Sequence, residues 1–189
     1  MKQLARAAAL AAAVLSPVAL AAVSAPAGAV TSACSADPFC AGQTAVSPSL
    51  AMAVASDTPA SKSPVVAAVP SASPRQDWDI RSPANPVNGD KIFRWAPNGV
   101  PSTGPALCVS SPFVAVRSAI QLRKCNGSPY QQWTPVHPGE DGAVVWVNNG
   151  TGLALTEPPG TIPGTHLQAR TVGTGTGNNK RWRYVFPPS

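Results

Sequence analysis

The chain has 189 residues with a formal net charge of +6, 44% hydrophobic residues and only four cysteines. That length buries a real core without metal or dense disulfides. Lys2 and Arg6 lie in an N-terminal segment expected to be removed, which leaves +4, too small an excess to imply nucleic acid. Cysteines at 34, 40, 108 and 125, with only His137 and His166 in support, fit no metal-ligand spacing, so no metal and no cofactor is expected.

Lys2 and Arg6 precede an alanine-rich apolar run from Ala7 to Val23 and the small-x-small triplet Ala27-Gly28-Ala29. This is the layout of a signal peptide over 1–29, with a mature start at Val30 and a secreted, extracellular product. Ser16 and Pro17 interrupt the run, and its leanness in Leu, Ile and Phe argues against a membrane span. Lipid attachment at Cys34 is disfavoured, because Thr31-Ser32-Ala33 lacks a large aliphatic residue. Export permits disulfides. Of the three pairings open to four cysteines, neighbour spacing favours Cys108 with Cys125, leaving Cys34 with Cys40.

Residues 30–75 are rich in Ala, Ser, Pro and Val and have the composition of a linker. A search for repeats points the other way. Arg75-Gln76-Asp77-Trp78 matches Tyr130-Gln131-Gln132-Trp133 as Gln-x-Trp, and Lys180-Arg181-Trp182 stands where a third would fall. Cys125 and Pro70 each precede their tryptophan by eight residues, Cys108 lies seventeen before Cys125, Met52 eighteen before Pro70, and Ala154 eighteen before Val172. Trp78 and Trp133 are 55 apart, Trp133 and Trp182 are 49 apart, and Val30 precedes Trp78 by 48. Three units, roughly 30–80, 81–135 and 136–189, therefore fill one domain over 30–189.

Each unit contains short alternating or apolar runs. They are expected near 41–46, 50–54 and 65–69 in the first unit, at 90–95 and 120–123 in the second, and at 143–147, 152–155 and 165–170 in the third. Turn signals such as Pro97-Asn98-Gly99 and Asn148-Asn149-Gly150 separate them, and no run outside the leader keeps a helical period. Gly and Pro together make 37 of 189 residues, below the level of a low-complexity chain. An all-β domain follows, and three units close a barrel where two would leave open sheet edges.

The stretch from Cys108 to Trp133, CVSSPFVAVRSAIQLRKCNGSPYQQW, resembles one repeat of the ricin-type (ricin B-like) β-trefoil lectins, whose repeats end in Gln-x-Trp and tie their second and third strands by a disulfide. The resemblance implies a β-trefoil of three degenerate repeats with Trp78, Trp133 and Trp182 in a shared core. Trp95 and Trp146, at related places in the opening strands, are also expected to pack in the core or at its rim. In that family an Asp two places after the first cysteine position takes sugar hydroxyls, an aromatic two places before the second stacks on the ring, and an Asn before Gln-x-Trp adds a hydrogen bond. Those positions hold Val54, Ser110 and Thr156; Ala68, Arg123 and Arg170; and Arg75, Tyr130 and Asn179. Only Asn179 matches. Arg123 and Arg170 put guanidinium where the family has an aromatic ring, which favours anions over neutral hexoses.

No nucleophile elbow, phosphate loop or opposed carboxylate pair is present. Glu140-Asp141 sits in a turn signature, and Thr174-Gly175-Thr176-Gly177 lacks the Lys-Ser/Thr of a phosphate loop. The expectation is a monomeric, non-enzymatic binding module with Arg123, Arg170 and Asn179 as candidate ligand contacts. Its partner is a glycan or polyanionic wall polymer. The alternative is a protein-binding or inhibitor trefoil presenting proline-stiffened, exposed loops at 97–105 and 157–163.

Overall fold

Short runs of β-branched and aromatic residues, cut every few residues by Pro, Gly or Asn, can form only short strands, and the computed structural model shows thirteen among the residues it describes, 42–45, 50–71, 73–100, 104–136, 143–173 and 178–185. The expected leader (1–29), Cys34, Cys40, His137, Glu140, Asp141 and the 174–177 loop lie outside the described residues.

The first unit carries β1 (Gly42–Ala45), β2 (Ala51–Val54), β3 (Val65–Ala68) and β4 (Trp78–Arg81). The second carries β5 (Ile92–Trp95), β6 (Leu107–Ser110), the two-residue β7 (Ser118–Ala119), β8 (Gln121–Lys124) and β9 (Trp133–Val136). The third carries β10 (Val145–Asn148), β11 (Ala154–Thr156), β12 (Gln168–Arg170) and β13 (Trp182–Val185). A single-turn 3-10 segment precedes each tryptophan-bearing last strand, at Pro74–Gln76, Pro129–Gln131 and Asn178–Lys180.

The outer strands of each unit build the barrel. β4 pairs with β5, β9 with β10 and β13 with β1, all antiparallel, and the bridges Lys91↔Trp133 and Val144↔Trp182 join first to last strand within the second and third units. The inner strands form three hairpins, β2–β3, β6–β8 and β11–β12. These meet in a ring of backbone hydrogen bonds: Val65 N–H donates to Ile120 C=O (3.0 Å), Ile120 N–H to Leu167 C=O (2.9 Å) and Leu167 N–H to Val65 C=O (2.9 Å). A six-stranded barrel capped by three hairpins about a pseudo-threefold axis is a β-trefoil.

The core runs through all three units and includes Trp78, Trp133, Trp146, Trp182, Phe93 and Leu155, all fully buried. Trp95 and Trp146 are both buried, as expected, yet they are not equivalent. Trp95 faces Trp78 across β4–β5, whereas Trp146 faces Pro135 across β9–β10 and meets Phe93 edge-on at 4.9 Å. The register makes Phe93 the counterpart of Trp146 and Asn148 that of Trp95.

The hairpin register also corrects the frame of the first unit. Cys108 faces Arg123 and Ala154 faces Arg170, while the residue facing Ala68 is Ala51, one before Met52. All four residues of β2 are buried, so the alternation that would have marked the register is absent. The position of Ser110 and Thr156 is therefore taken by Ala53 in the first unit, not Val54.

Candidate functional site

The Gln-x-Trp ends are structural fixtures. The indole N–H groups of Trp78, Trp133 and Trp182 donate to the carbonyls of Met52 (3.0 Å), Val109 (3.2 Å) and Leu155 (3.0 Å), tying each last strand to its own hairpin. Gln76 accepts from Ser71 N–H (3.0 Å) and donates to Val69 C=O (2.7 Å). Gln131 accepts from Asn126 N–H (2.9 Å) and Gly127 N–H (3.2 Å) and donates to Lys124 C=O (2.9 Å). Lys180 keeps only the donor half, its ammonium reaching the matching carbonyl of Thr171 at 3.0 Å. Cys108 and Cys125 form the expected disulfide, with Cα atoms 5.1 Å apart.

Between hairpin and last strand the first and second units each leave a shelf, and the two differ. In the first, a cavity of about 460 Å³ has a floor of Ala53, Val54, Val66 and Ala67, with Arg75 and His166 among its lining. Arg75 is already engaged, 3.5 Å from Asp57.

The second shelf is a cavity of about 430 Å³ lined by Ser110, Phe113, Arg123, Lys124, Asn126 and Tyr130. The Arg123 Nε–H is buried and has no acceptor among the described residues, and the side-chain oxygen of Gln121, two residues before it, is buried and unpartnered too. No acidic residue occurs in the sequence between Asp90 and Glu140, while Lys91, Arg94, Arg117, Arg123 and Lys124 do. Tyr130 is 41% exposed, and its ring lies against Gly150 of the next unit. A Cβ at Gly150 would come within 2.6 Å of that ring, so only glycine there admits the tyrosine.

In the third unit, the guanidinium of Arg170 donates from two nitrogens to the side-chain oxygen of Gln168 (3.2 and 2.9 Å). Asn179 donates to the Glu157 carbonyl (2.8 Å), and Glu157 N–H donates back to Asn179 C=O (2.9 Å). Arg123 and Arg170 thus hold equivalent hairpin positions, but of the three candidate residues only Arg123 lines either cavity.

Glu157 is the residue that sequence reasoning missed. Expected on an exposed loop, it is fully buried, both carboxylate oxygens lack a hydrogen-bond partner among the described residues, and burial pushes its pKa up to about 7. Pro159, Gly160, Ile162 and Pro163 beyond it are exposed, as expected. Its counterpart is Ser111, also buried with an unpartnered hydroxyl. The equal spacing of Ser111 after Cys108 and of Glu157 after Ala154 is the signal that could have located it.

Among the described residues no cluster of His, Cys, Asp or Glu could hold a metal ion, and no helix is long and apolar enough to cross a membrane. No protein-family model matches the sequence, and no curated protein sequence does. Solved structures do match. The designed three-fold symmetric protein ThreeFoil superposes with a TM-score of 0.64 at 18% identity, over 78% of this chain and 99% of its own. The exo-β-1,3-galactanase 1,3Gal43A of Clostridium thermocellum gives 0.62 at 17% identity, over 79% of this chain and 30% of its own. SeviL, solved bound to the asialo-GM1 saccharide, gives 0.55 at 9% identity, over 78% of this chain and 96% of its own. At these identities the likeness is one of fold, and that fold is the β-trefoil.

Proposed function

We propose that the protein is a secreted, non-enzymatic carbohydrate-binding module resembling a degenerate ricin-type lectin, and that it takes acidic glycans or wall polymers on the shelf of its second unit. The observation that carries this reading is a cavity lined by two adjacent cations, Arg123 and Lys124, and by an exposed aromatic, Tyr130. A guanidinium offers paired donors to carboxylate, sulfate or phosphate, and a phenol ring offers a face to a sugar. The saccharide bound to SeviL gives glycan precedent for the fold.

The test is titration of sulfated and carboxylated polysaccharides at low and physiological salt, beside lactose. Binding of the polyanions should weaken as salt rises, and lactose should not bind. Arg123→Ala should weaken binding about tenfold or more, the worth of one charge-assisted hydrogen bond, and Arg170→Ala should do less because its guanidinium is bound to Gln168. Unchanged affinity in Arg123→Ala, or salt-independent lactose binding, overturns the reading. If no glycan binds, a protein-binding or inhibitor trefoil takes its place.

A further inference from the structure

The pseudo-threefold axis brings the three hairpin turns to one end of the molecule. They are built alike: Ser63 N–H donates to Ala60 C=O, Ser118 N–H to Ala115 C=O and Thr165 N–H to Ile162 C=O. Lys62, Arg117 and Gly164 are likewise equivalent, their N–H groups donating to the carbonyls of Leu122, Ala169 and Ala67. All three adopt the left-handed backbone, with φ of 80°, 70° and 92°. Glycine holds that conformation without strain, and a long side chain does so at a cost. Two of the three turns nevertheless keep a cation there.

The same end carries apolar tips. Nine large hydrophobic side chains are exposed among the described residues, and four belong to these turns: Phe113 (50%), Val114 (66%), Val116 (50%) and Ile162 (69%). Residues 113–117 are exposed without a break, a projecting loop and not a groove. Its base is pinned by Arg117 N–H to Ala169, by the Ser118 hydroxyl to Phe113 C=O (3.3 Å) and by pairing of β7 with β12, so the tip cannot fold its apolar side chains back. The one acid in these turns with an exposed side chain, Asp57, pairs with Arg75.

We infer that the hairpin end, with the Pro112–Val116 loop at its tip and Lys62 and Arg117 at its shoulders, docks on an anionic lipid bilayer surface. Convex aliphatic tips beside cations suit the boundary between headgroups and acyl chains, where apolar side chains enter the hydrocarbon and ammonium or guanidinium groups stay with the phosphates. The inference does not rest on glycan binding: the loop shares Pro112 and Phe113 with the second shelf, but Val114, Val116, Lys62 and Arg117 lie outside that lining, and the ligand is another.

The test uses vesicles of phosphatidylcholine with or without phosphatidylserine and no glycolipid. The protein used lacks residues 1–29, none of which belongs to the described fold. Sedimentation with the phosphatidylserine vesicles is expected at low salt, with little on phosphatidylcholine alone. Val114→Ser with Val116→Ser should weaken it about tenfold or more and leave polyanion binding in solution intact. Depth is read by Val114→Trp in vesicles of brominated lipid. All five native tryptophans are buried, so quenching reports the introduced one. No sedimentation with phosphatidylserine vesicles, or sedimentation that survives the serine substitutions without quenching, overturns the inference.

Discussion

The second and third units share a backbone plan and differ in nearly every polar fitting hung on it. Where the second has Cys108 bonded to Cys125, the third has Ala154 and Val172. Gln131 makes three hydrogen bonds at a position where Lys180 makes one to a backbone carbonyl. Ser111 becomes the buried carboxyl of Glu157, and the unpartnered Nε of Arg123 becomes the Gln168-bonded one of Arg170. Hydrophobic packing and the tryptophan-to-hairpin bond are enough to specify the strands, which frees the polar positions to diverge. Binding capacity therefore belongs to individual units, and the three should not be treated as copies.

The largest expected effect comes from erasing the covalent difference. Replacing both Cys108 and Cys125 by Ala should cost about 3 kcal/mol of unfolding free energy, the worth of closing a loop of this size, as measured by denaturant titration. A cost near zero would mean that the second unit, like the third, is held without need of a covalent tie.

Next comes the carboxyl of the third unit. As pH rises, the unfolded chain gives up the Glu157 proton near its ordinary 4.5, while the folded chain holds it to about 7. Between those values the folded state binds more protons, so this group makes stability fall with rising pH. Glu157→Gln should remove that slope: unfolding curves of variant and wild type should lie closer at about pH 4 than at about pH 8, with the variant the more stable at the higher value. Asp77, raised by burial and partly opposed by the Asn98 amide, works in the same direction and should persist in the variant. Parallel pH profiles would remove Glu157 from the account.

The smallest effect tests the glutamine fixture. Lys180→Gln restores the acceptor that Gln76 and Gln131 use and should raise stability by about 1 kcal/mol, the net worth of a hydrogen bond. A loss would show that the ammonium does more than reach Thr171.

What could be read in the chain tracked residues with one physical role. A tryptophan opening the last strand of a unit is large enough to fix a core position, and so Trp78, Trp133 and Trp182 set the three-unit plan. Cys108 and Cys125 marked neighbouring strands for the same reason. Met52 misled because Ala51–Val54 is apolar and buried throughout, and nothing in such a run indicates which residue faces which. Glu157 misled because Glu-Pro-Pro-Gly has the chemistry of a solvated turn, while its backbone is tied on both sides to Asn179, a contact made only across the fold. Arg123 and Arg170 looked alike because each follows a glutamine by two residues, and no spacing shows that Gln168 bonds its arginine while Gln121 does not.

The pairing of Gly42–Ala45 with Trp182–Val185 also has a kinetic side. A chain emerging from a ribosome or a translocation pore offers its first strand long before the partner arrives, and until then the barrel has an open seam with Trp78 and Trp133 at incomplete walls. Folding that waits on so distant a contact is slow, and the waiting chain presents apolar strand edges to any neighbour. The protein's yield should therefore depend more on how crowded its exit from synthesis is than on the stability of the closed barrel.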